Sequence, residues 1–187
     1  MGEAGVFLLD AFLQPFAAVL LFRFHAVWLR APMRNPLGEF IMAITDFLVL
    51  RTRRYVPAVA ELDSATLLLA WLAELLYLLG LYAMQGDLSH GLPLAGLMLL
   101  ALVKLLKISI YLLMATVIAQ ALLSWINPRT AAAPMLASIT YPFLQPLRRV
   151  LPLFGGVDLS PMLLLVICQL ILMTLIGALE RLTFSLF

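Results

Sequence analysis

The sequence predicts an all-α membrane protein, in which four transmembrane helices form two parallel repeats of helix, amphipathic segment and helix. Of the 187 residues, 64% are hydrophobic and 12% are charged, whereas soluble domains carry about 25% charged residues. A basic, proline-containing pattern also occurs twice, about 95 residues apart. The low charge content predicts membrane spans, and the duplication predicts how they are arranged.

Four apolar segments are long enough to cross a membrane. A hydrocarbon core of about 30 Å requires about 20 apolar residues in a helix. The segments cover residues 6–28, 65–84, 94–126 and 161–179. The third contains 33 residues, or about 50 Å of helix at about 1.5 Å per residue. It is therefore expected to tilt, to break, or to project from the membrane.

The distribution of basic residues predicts the orientation of the spans. Eight arginines lie between spans one and two or between spans three and four, whereas Arg181 is the only basic residue elsewhere outside the spans. The positive-inside rule then places both basic segments in the cytoplasm and both termini outside. Two crossings per repeat make the copies parallel, with a pseudo-two-fold axis along the membrane normal. The repeats are expected to cover residues 1–86 and 87–187.

Each basic segment begins with an Asn-Pro pair, Asn35-Pro36 or Asn127-Pro128. Asparagine as cap and proline at the first helical position are typical of a helix start. Apolar residues then recur at helical spacing, which predicts an amphipathic helix at the cytoplasmic face, either lying on the membrane or dipping into it. Pro142 and Pro146 are expected to stop or kink the second of these helices, because each removes a backbone donor.

The two segments share a skeleton of Ile-Thr, Arg-Arg, proline and aspartate. Its members are Ile44-Thr45, Arg53-Arg54, Pro57 and Asp63 in the first copy, and Ile139-Thr140, Arg148-Arg149, Pro152 and Asp158 in the second. The arginines could bind lipid phosphates or an acidic protein partner, or act only as topology anchors.

The aspartates precede spans two and four, where a carboxylate can cap a helix. In the second copy Gly155-Gly156 permits a sharp turn. A pair between Asp158 and either Arg148 or Arg149 would close the segment into a hook. We use "hooks" below for residues 53–63 and 148–158.

The second copy carries the resemblance to a known family. The stretches "LSWINP" and "ITYPFLQPLRRVLPLFGGVDLSPM" resemble the signature of the YggT family of small bacterial membrane proteins, which has relatives in cyanobacteria and chloroplasts, and the chain contains two such repeats. In the first copy Phe47 and Arg51 stand in place of the two internal prolines, and Ala60-Glu61 replaces the Gly-Gly pair. The second copy is therefore the better candidate for a functional surface. The resemblance implies a multi-pass protein of the bacterial inner membrane.

Charged residues inside the predicted spans are candidates for a second site. Glu74 and Lys104 each lie about ten residues from the outer end of a span, so they could pair, with Lys107 one turn further. Gln169 occupies the position equivalent to Glu74 in the second repeat. These four residues form either an intramembrane polar centre or a structural contact that fixes helix packing, unless the lysines lie at the outer interface. Arg23 is expected to snorkel to the cytoplasmic face.

The sequence lacks the glycine loop of phosphate-binding proteins and the motifs HExxH, GxSxG and CxxCH. A single cysteine, Cys168, excludes an internal disulfide. His25 and His90 are predicted at opposite ends of the bundle, so they cannot share a metal. We therefore predict a protein that is not an enzyme and has neither cofactor nor metal.

Two functions fit these features. The first is a scaffold or assembly factor in envelope and osmotic-stress homeostasis, which binds membrane lipids or an unidentified membrane protein through the hooks. The second is a small potassium-linked transporter or channel component that uses the polar centre, where a homo-oligomer could supply the pore. The YggT resemblance implies links with cell division, membrane organisation and cytochrome maturation, and also with osmotic tolerance and potassium uptake. Four helices make a narrow bundle and lysines repel cations, so the scaffold is favoured; no direct nucleic-acid contact is expected.

Overall fold

A computed structural model of the chain describes residues 2–58, 62–84, 93–151 and 158–184. Those residues form helices and no strand. The helices are α1 (Gly2–Trp28), α2 (Pro36–Thr52), α3 (Ser64–Met84), α4 (Leu94–Ile126), α5 (Ala133–Val150), α6 (Ser160–Ile171) and α7 (Gly177–Phe184), with a π-helical turn (Leu172–Ile176) between the last two. Pro152, Gly155, Gly156 and His90 lie outside the described residues.

Within the described residues, four helical stretches have the length and the apolar composition needed to cross a membrane. They are Glu3–Trp28, Ser64–Met84, Leu94–Ile126 and Ser160–Thr183. The prediction of an all-α protein with four membrane-spanning helices is therefore confirmed. The third is one continuous helix of 33 residues, so α4 does not break along its length.

Helix α4 lies at the centre of the bundle. It packs against α1 and α3 on one side and against α5, α6 and α7 on the other. On the first side Leu105 of α4 meets Leu20 and Leu21 of α1 and Leu69 of α3. On the second side the contacts are made by Val117, Leu144, Leu164 and Cys168. Because it is long, α4 contacts helices in both halves of the molecule.

The two amphipathic helices lie at one end of the bundle and share an apolar cluster. Ile41 of α2 and Met135 and Ile139 of α5 pack together with Ala26 at the end of α1. The side chain of Asn35, which precedes α2, reaches the sulfur of Met135 at 3.3 Å. The basic segments of the two halves are thus in direct contact.

The two Asn-Pro pairs differ in their structural roles. Asn35 caps α2 as predicted, because its Oδ1 accepts a hydrogen bond from the Gly38 amide at 3.0 Å, and Pro36 begins the helix. Asn127 instead ends α4, and its Oδ1 accepts from the amide of Arg129 at 3.2 Å. An Asx turn of this kind, with proline disfavouring a helical conformation at the preceding residue, separates α4 from α5. The prediction that Asn127-Pro128 starts the second amphipathic helix is wrong.

Pro142 and Pro146 lie inside α5, which continues to Val150. Of the two predicted effects, a stop or a kink, the stop is wrong. Both prolines are exposed, and four residues of spacing puts them on one face of the helix. The carbonyl groups that lose their donors therefore need not be buried, and the buried side chains of Ile139 and Leu144 hold this part of α5 in the bundle.

Candidate functional site

Each hook is closed by an ion pair between its first arginine and its aspartate. In the first hook Arg53 Nη2 donates to Asp63 Oδ2 at 2.5 Å, and Arg53 Nε donates to Oδ1 at 3.3 Å. In the second hook Arg148 Nε donates to Asp158 Oδ2 at 2.8 Å. Of the two pairings that the sequence left open for Asp158, the structure shows the one with Arg148. The same contact thus occurs in both halves of the chain.

The same aspartates cap the spans that follow the hooks. Asp63 accepts from the Thr66 hydroxyl at 2.5 Å and from the Thr66 amide at 3.4 Å, at the start of α3. Asp158 accepts from the Ser160 amide at 2.9 Å, at the start of α6. A carboxylate at a helix N-terminus satisfies free amide groups and interacts favourably with the helix dipole. Each aspartate therefore joins a hook to a membrane span.

The hook aspartates are held in their ionised form. Burial opposes ionisation of Asp63, but hydrogen bonds from Arg53 and Thr66 and the charge of Arg53 outweigh it, so the pKa of Asp63 is lowered. Burial of Asp158 is outweighed in the same way by Ser160 and Arg148, which also lowers the pKa of that carboxyl. The hydrogen bond to Asp63 raises the pKa of Arg53. Both ion pairs therefore persist at neutral pH.

The second arginine of each pair is arranged differently. Arg54 and Arg149 are exposed, and neither makes a salt bridge with a residue in the described part of the chain. Two adjacent arginines thus have separate roles, since the first closes the hook and the second faces outward. This division does not follow from the sequence, in which the members of each pair are equivalent.

A groove of about 750 Å³ opens beside the second hook, between α4, α5 and α6. Arg148 and Asp158 line it together with Gln120 and Ser124, and the rest of the lining is apolar. Trp125, on the α4 wall, is 83% exposed. The groove therefore combines a guanidinium group with an apolar surface that opens outward.

A second set of polar contacts locks each amphipathic helix to the span before it. Arg23 of α1 is only 5% exposed, and its Nη1 donates to Thr45 Oγ1 at 2.6 Å and to Asp46 Oδ1 at 2.7 Å, both in α2. The expectation that Arg23 snorkels to the membrane face is wrong, because its partners lie on a helix that covers it. Sequence reasoning missed this contact, although Thr45 belongs to the duplicated skeleton.

The second half contains the counterpart of this lock. The Thr140 hydroxyl of α5 hydrogen-bonds to Gln120 Oε1 of α4, and it also contacts the Leu136 carbonyl at 3.0 Å. Thr45 and Thr140 are both fully buried. The threonine of each Ile-Thr pair therefore binds a polar side chain of the preceding span, which explains why the pair recurs in the skeleton.

Glu74 lies halfway along α3 and is completely buried. Its Oε1 accepts from Gln14 Nε2 of α1 at 3.3 Å, and its Oε2 has no hydrogen-bond partner in the part of the chain that the structure describes. The charge of Lys104 acts on Glu74, but the two side chains form no salt bridge. Near them the Tyr77 hydroxyl donates to Asp10 Oδ1 at 2.7 Å. Sequence reasoning missed Gln14 and Tyr77, which have no charge to reveal them.

Two residues of the predicted polar centre lie elsewhere. Lys107 donates to the Glu180 carboxylate of α7 at 2.8 and 3.1 Å, because α4 contacts the fourth span at this level. Gln169 is exposed on α6, where its neighbour Cys168 takes the buried position. A step of one residue rotates a side chain by about 100° around a helix. The predicted centre is thus reduced to Glu74 and Lys104, and the described residues hold no group of three potential metal ligands.

Comparison with known proteins finds the same family in both halves of the chain. Residues 3–84 and 99–179 each match CCB3/YggT. The chain is 31% identical to the uncharacterised protein YggT of Escherichia coli strain K12 over 166 residues, which are 88% of this chain and 85% of that protein. It is also 31% identical over 163 residues to an uncharacterised protein from the proC 3′ region of Vibrio alginolyticus, with 86% of each chain covered. An uncharacterised protein of Pseudomonas aeruginosa is 28% identical over 185 residues, or 98% of this chain and 93% of that one. No solved structure matches.

Proposed function

Because the chain belongs to the CCB3/YggT family and has four helices able to span a membrane, we propose that it is a non-enzymatic scaffold in envelope and osmotic-stress homeostasis. The scaffold lies in the bacterial inner membrane, with the hooks in the cytoplasm and both termini outside. Its hooks bind anionic lipid headgroups. They also bind an acidic membrane protein, either through the bound lipids or directly. The proposal rests on the different contacts that the two arginines of each hook make.

The observation that carries the proposal is the closed hook with an outward second arginine. The ion pairs Arg53–Asp63 and Arg148–Asp158 tie each arginine pair to the start of a span. Arg54 and Arg149 are then presented from an anchored position, which lowers the ordering cost of binding. A guanidinium group binds a phosphate through two parallel hydrogen bonds. The hooks thus suit phosphate recognition at a membrane face.

Lipid is the first partner that we propose, because the second hook borders an apolar groove. The groove of about 750 Å³ places apolar side chains of α4 and α6 next to Arg148. A phospholipid offers the complementary arrangement, with a charged headgroup joined to acyl chains, and basic residues at the cytoplasmic leaflet attract anionic lipids. Tyr55, 86% exposed beside Arg54, adds an amphipathic ring of the kind found at membrane interfaces.

Retention of lipid by the purified protein tests this function. The protein would be extracted from membranes that contain phosphatidylglycerol, and native mass spectrometry would count the bound lipids. We expect the double variant Arg54→Ala, Arg149→Ala to lose most of its bound phosphatidylglycerol. The control is Arg129→Ala, which removes an exposed arginine outside the hooks and should retain it. Equal retention in all three proteins would exclude the hooks as the lipid site.

The ion-linked function has one specific observation in its favour. Glu74 is buried in the middle of a span, and its Oε2 has no hydrogen-bond partner within the described ranges. Potassium and proton flux in liposomes would be compared for the wild type and the double variant Glu74→Gln, Lys104→Ala. If the wild type gives more flux than empty liposomes and the variant does not, the protein conducts ions and the scaffold function is wrong. If the wild type shows no flux, the ion-linked function fails.

A further inference from the structure

We propose that Glu74 is a proton-binding site inside the membrane, reached from the end of the bundle opposite the hooks along a path of Gln14, Tyr77 and Asp10. The site is separate from the hooks, because α3 begins at the first hook and Glu74 lies about 15 Å along it. It does not depend on the lipid-binding function. Its ligand is a proton, which binds the free oxygen of the carboxylate.

The state of the Glu74 carboxylate is the first argument. The side chain is fully buried and its Oε2 has no partner among the described residues. An ionised carboxylate normally needs several hydrogen bonds to offset its loss of water, and a buried carboxylate without them is far more costly than the neutral acid. A proton on Oε2 removes the uncompensated charge and leaves the Gln14 contact at Oε1 in place. Binding of the proton therefore neutralises the carboxylate, and no new contact has to form.

The second argument is the row of polar groups that leads to the surface. Gln14 contacts Glu74 at 3.3 Å, and its side chain lies beside that of Tyr77. Tyr77 lies one turn from Glu74 on the same face of α3 and donates to Asp10 at 2.7 Å. Asp10 is exposed near the start of α1. These groups join the surface to the buried carboxylate through α1 and α3, and they mark the side from which the proton enters.

The chemistry of the neighbours favours a proton over a metal cation. Gln14 turns its amide nitrogen, a donor, towards Glu74 rather than its carbonyl oxygen. Lys104 adds a positive charge nearby, and hard cations need several oxygen ligands rather than one free oxygen. Among the described residues, Asp10 of α1, Tyr77 of α3 and Lys104 of α4 are the titratable groups around the site. Of these, Lys104 opposes cation binding and does not neutralise Glu74 by contact.

Infrared spectroscopy of the protein in nanodiscs tests proton binding directly. Spectra would be recorded between about pH 4 and about pH 10, since buried glutamates titrate as high as about 9. We expect one buried carboxylic acid to titrate in the wild type and to be lost in Glu74→Gln, which keeps the shape of the side chain and its acceptor for Gln14. The control Glu39→Gln, which removes an exposed carboxyl group of α2 away from the path, should retain it. A signal that is unchanged in Glu74→Gln would overturn the proposal.

Labelling glutamate carboxyl groups with ¹³C supplies a test that needs no variant, because the band of a glutamic acid then shifts and that of an aspartic acid does not. A band that fails to shift would also overturn the proposal. If potassium or sodium at constant pH displaces the proton, the site binds a cation and the assignment is wrong.

The entry side is tested by the rate at which the Glu74 carboxyl exchanges its proton after transfer into D₂O. We expect Tyr77→Phe, which removes the hydroxyl that bonds to Asp10, to slow this exchange several-fold. The matched control is Tyr111→Phe, since Tyr111 is an exposed tyrosine of α4. Equal exchange rates in the wild type and in Tyr77→Phe would contradict the proposed path.

Discussion

The hook aspartates show how one side chain serves several interactions. Asp63 is 3% exposed, and its two oxygens are shared between the Arg53 guanidinium and the first turn of α3. Asp158 also contacts an arginine and the first turn of a helix, but its side chain is more exposed, at 31%. Exposed ion pairs contribute little to stability, so we expect the first hook to depend more strongly on its aspartate than the second.

Acid sensitivity follows from the lowered pKa of Asp63. Its ionised form stabilises the fold fully above its ordinary pKa of 3.8, and this stabilisation is lost as the pH falls through the lower pKa of the folded state. We expect Asp63→Asn to lose about 0.5–1 kcal/mol at neutral pH through the missing charge beside the partly exposed Arg53, since asparagine caps a helix about as well as aspartate, and to show a smaller further loss in acid. Thermal melting against pH measures both effects. Glu39→Gln, which removes an exposed carboxyl group of α2, should melt like the wild type at neutral pH.

Gly38 allows a close approach of backbone at the start of α2. A Cβ atom there would lie 2.2 Å from the carbonyl oxygen of Met33, which is too near for a real contact. We expect Gly38→Ala to shift the cap at Asn35 and to destabilise the protein by about 1–3 kcal/mol, as measured by thermal melting. In the control Gly177→Ala the nearest atom is 3.8 Å away, so the melting temperature should not fall. A neutral Gly38→Ala would show that the helix start adjusts freely.

At the scale of elements, polar locks position the amphipathic helices. The buried Arg23 holds α2 through Thr45 and Asp46, and Thr140 holds α5 to Gln120. Apolar contacts alone would allow such helices to slide or rotate, because they are non-directional. Hydrogen bonds to a buried guanidinium fix both position and rotation. The locks therefore set where each hook begins.

Removing the first lock should release α2 and leave α5 in place. We expect Arg23→Ala to cost about 1–3 kcal/mol, less than the about 3–5 kcal/mol of a fully buried pair, because Asp46 is 39% exposed and can regain water. Hydrogen exchange should accelerate in residues 36–52 more than in 133–150. The reciprocal variant Thr140→Ala should show the opposite pattern. Equal acceleration of both helices would mean that the locks are not local.

At the scale of the whole molecule, α4 connects the two halves of the chain. Lys104 of α4 faces Glu74, whereas Lys107 of the same helix forms a salt bridge with Glu180 at 2.8 Å. Three residues of spacing thus direct two lysines to different neighbours. Together with the cluster shared by α2 and α5, these contacts make the halves one bundle rather than two separate hairpins.

The predicted topology can be tested by thiol labelling in intact cells. Cys168 is the one cysteine of the chain and is buried, so Cys168→Ser provides a background without thiols. In that background we expect Tyr55→Cys to react only with a membrane-permeant reagent, because the positive-inside rule predicts a cytoplasmic hook. Glu3→Cys should react with an impermeant reagent added outside. The reverse pattern would show that the arginines do not set the orientation.

The sequence by itself determined the features that depend on local chemistry. Apolar length predicted four spans, duplication predicted two similar segments, and Asn35 with Pro36 predicted the start of α2. Local rules were wrong where packing outweighs propensity. Pro142 and Pro146 continue a helix that buries Ile139 and Leu144 beside them, and Asn127 closes α4 instead of opening α5.

Only the tertiary structure decided which polar groups meet. Nothing in the sequence separates Arg148 from Arg149, or Lys104 from Lys107, since each pair shares a charge and a neighbourhood. A change of one residue rotates a side chain by about 100°, and the rotation of each helix depends on its neighbours across the bundle. Helix rotation therefore assigns Arg148 to Asp158, Lys107 to Glu180 and Gln14 to Glu74. Packing in three dimensions, rather than position along the chain, selects the hook and the buried carboxylate as candidate sites.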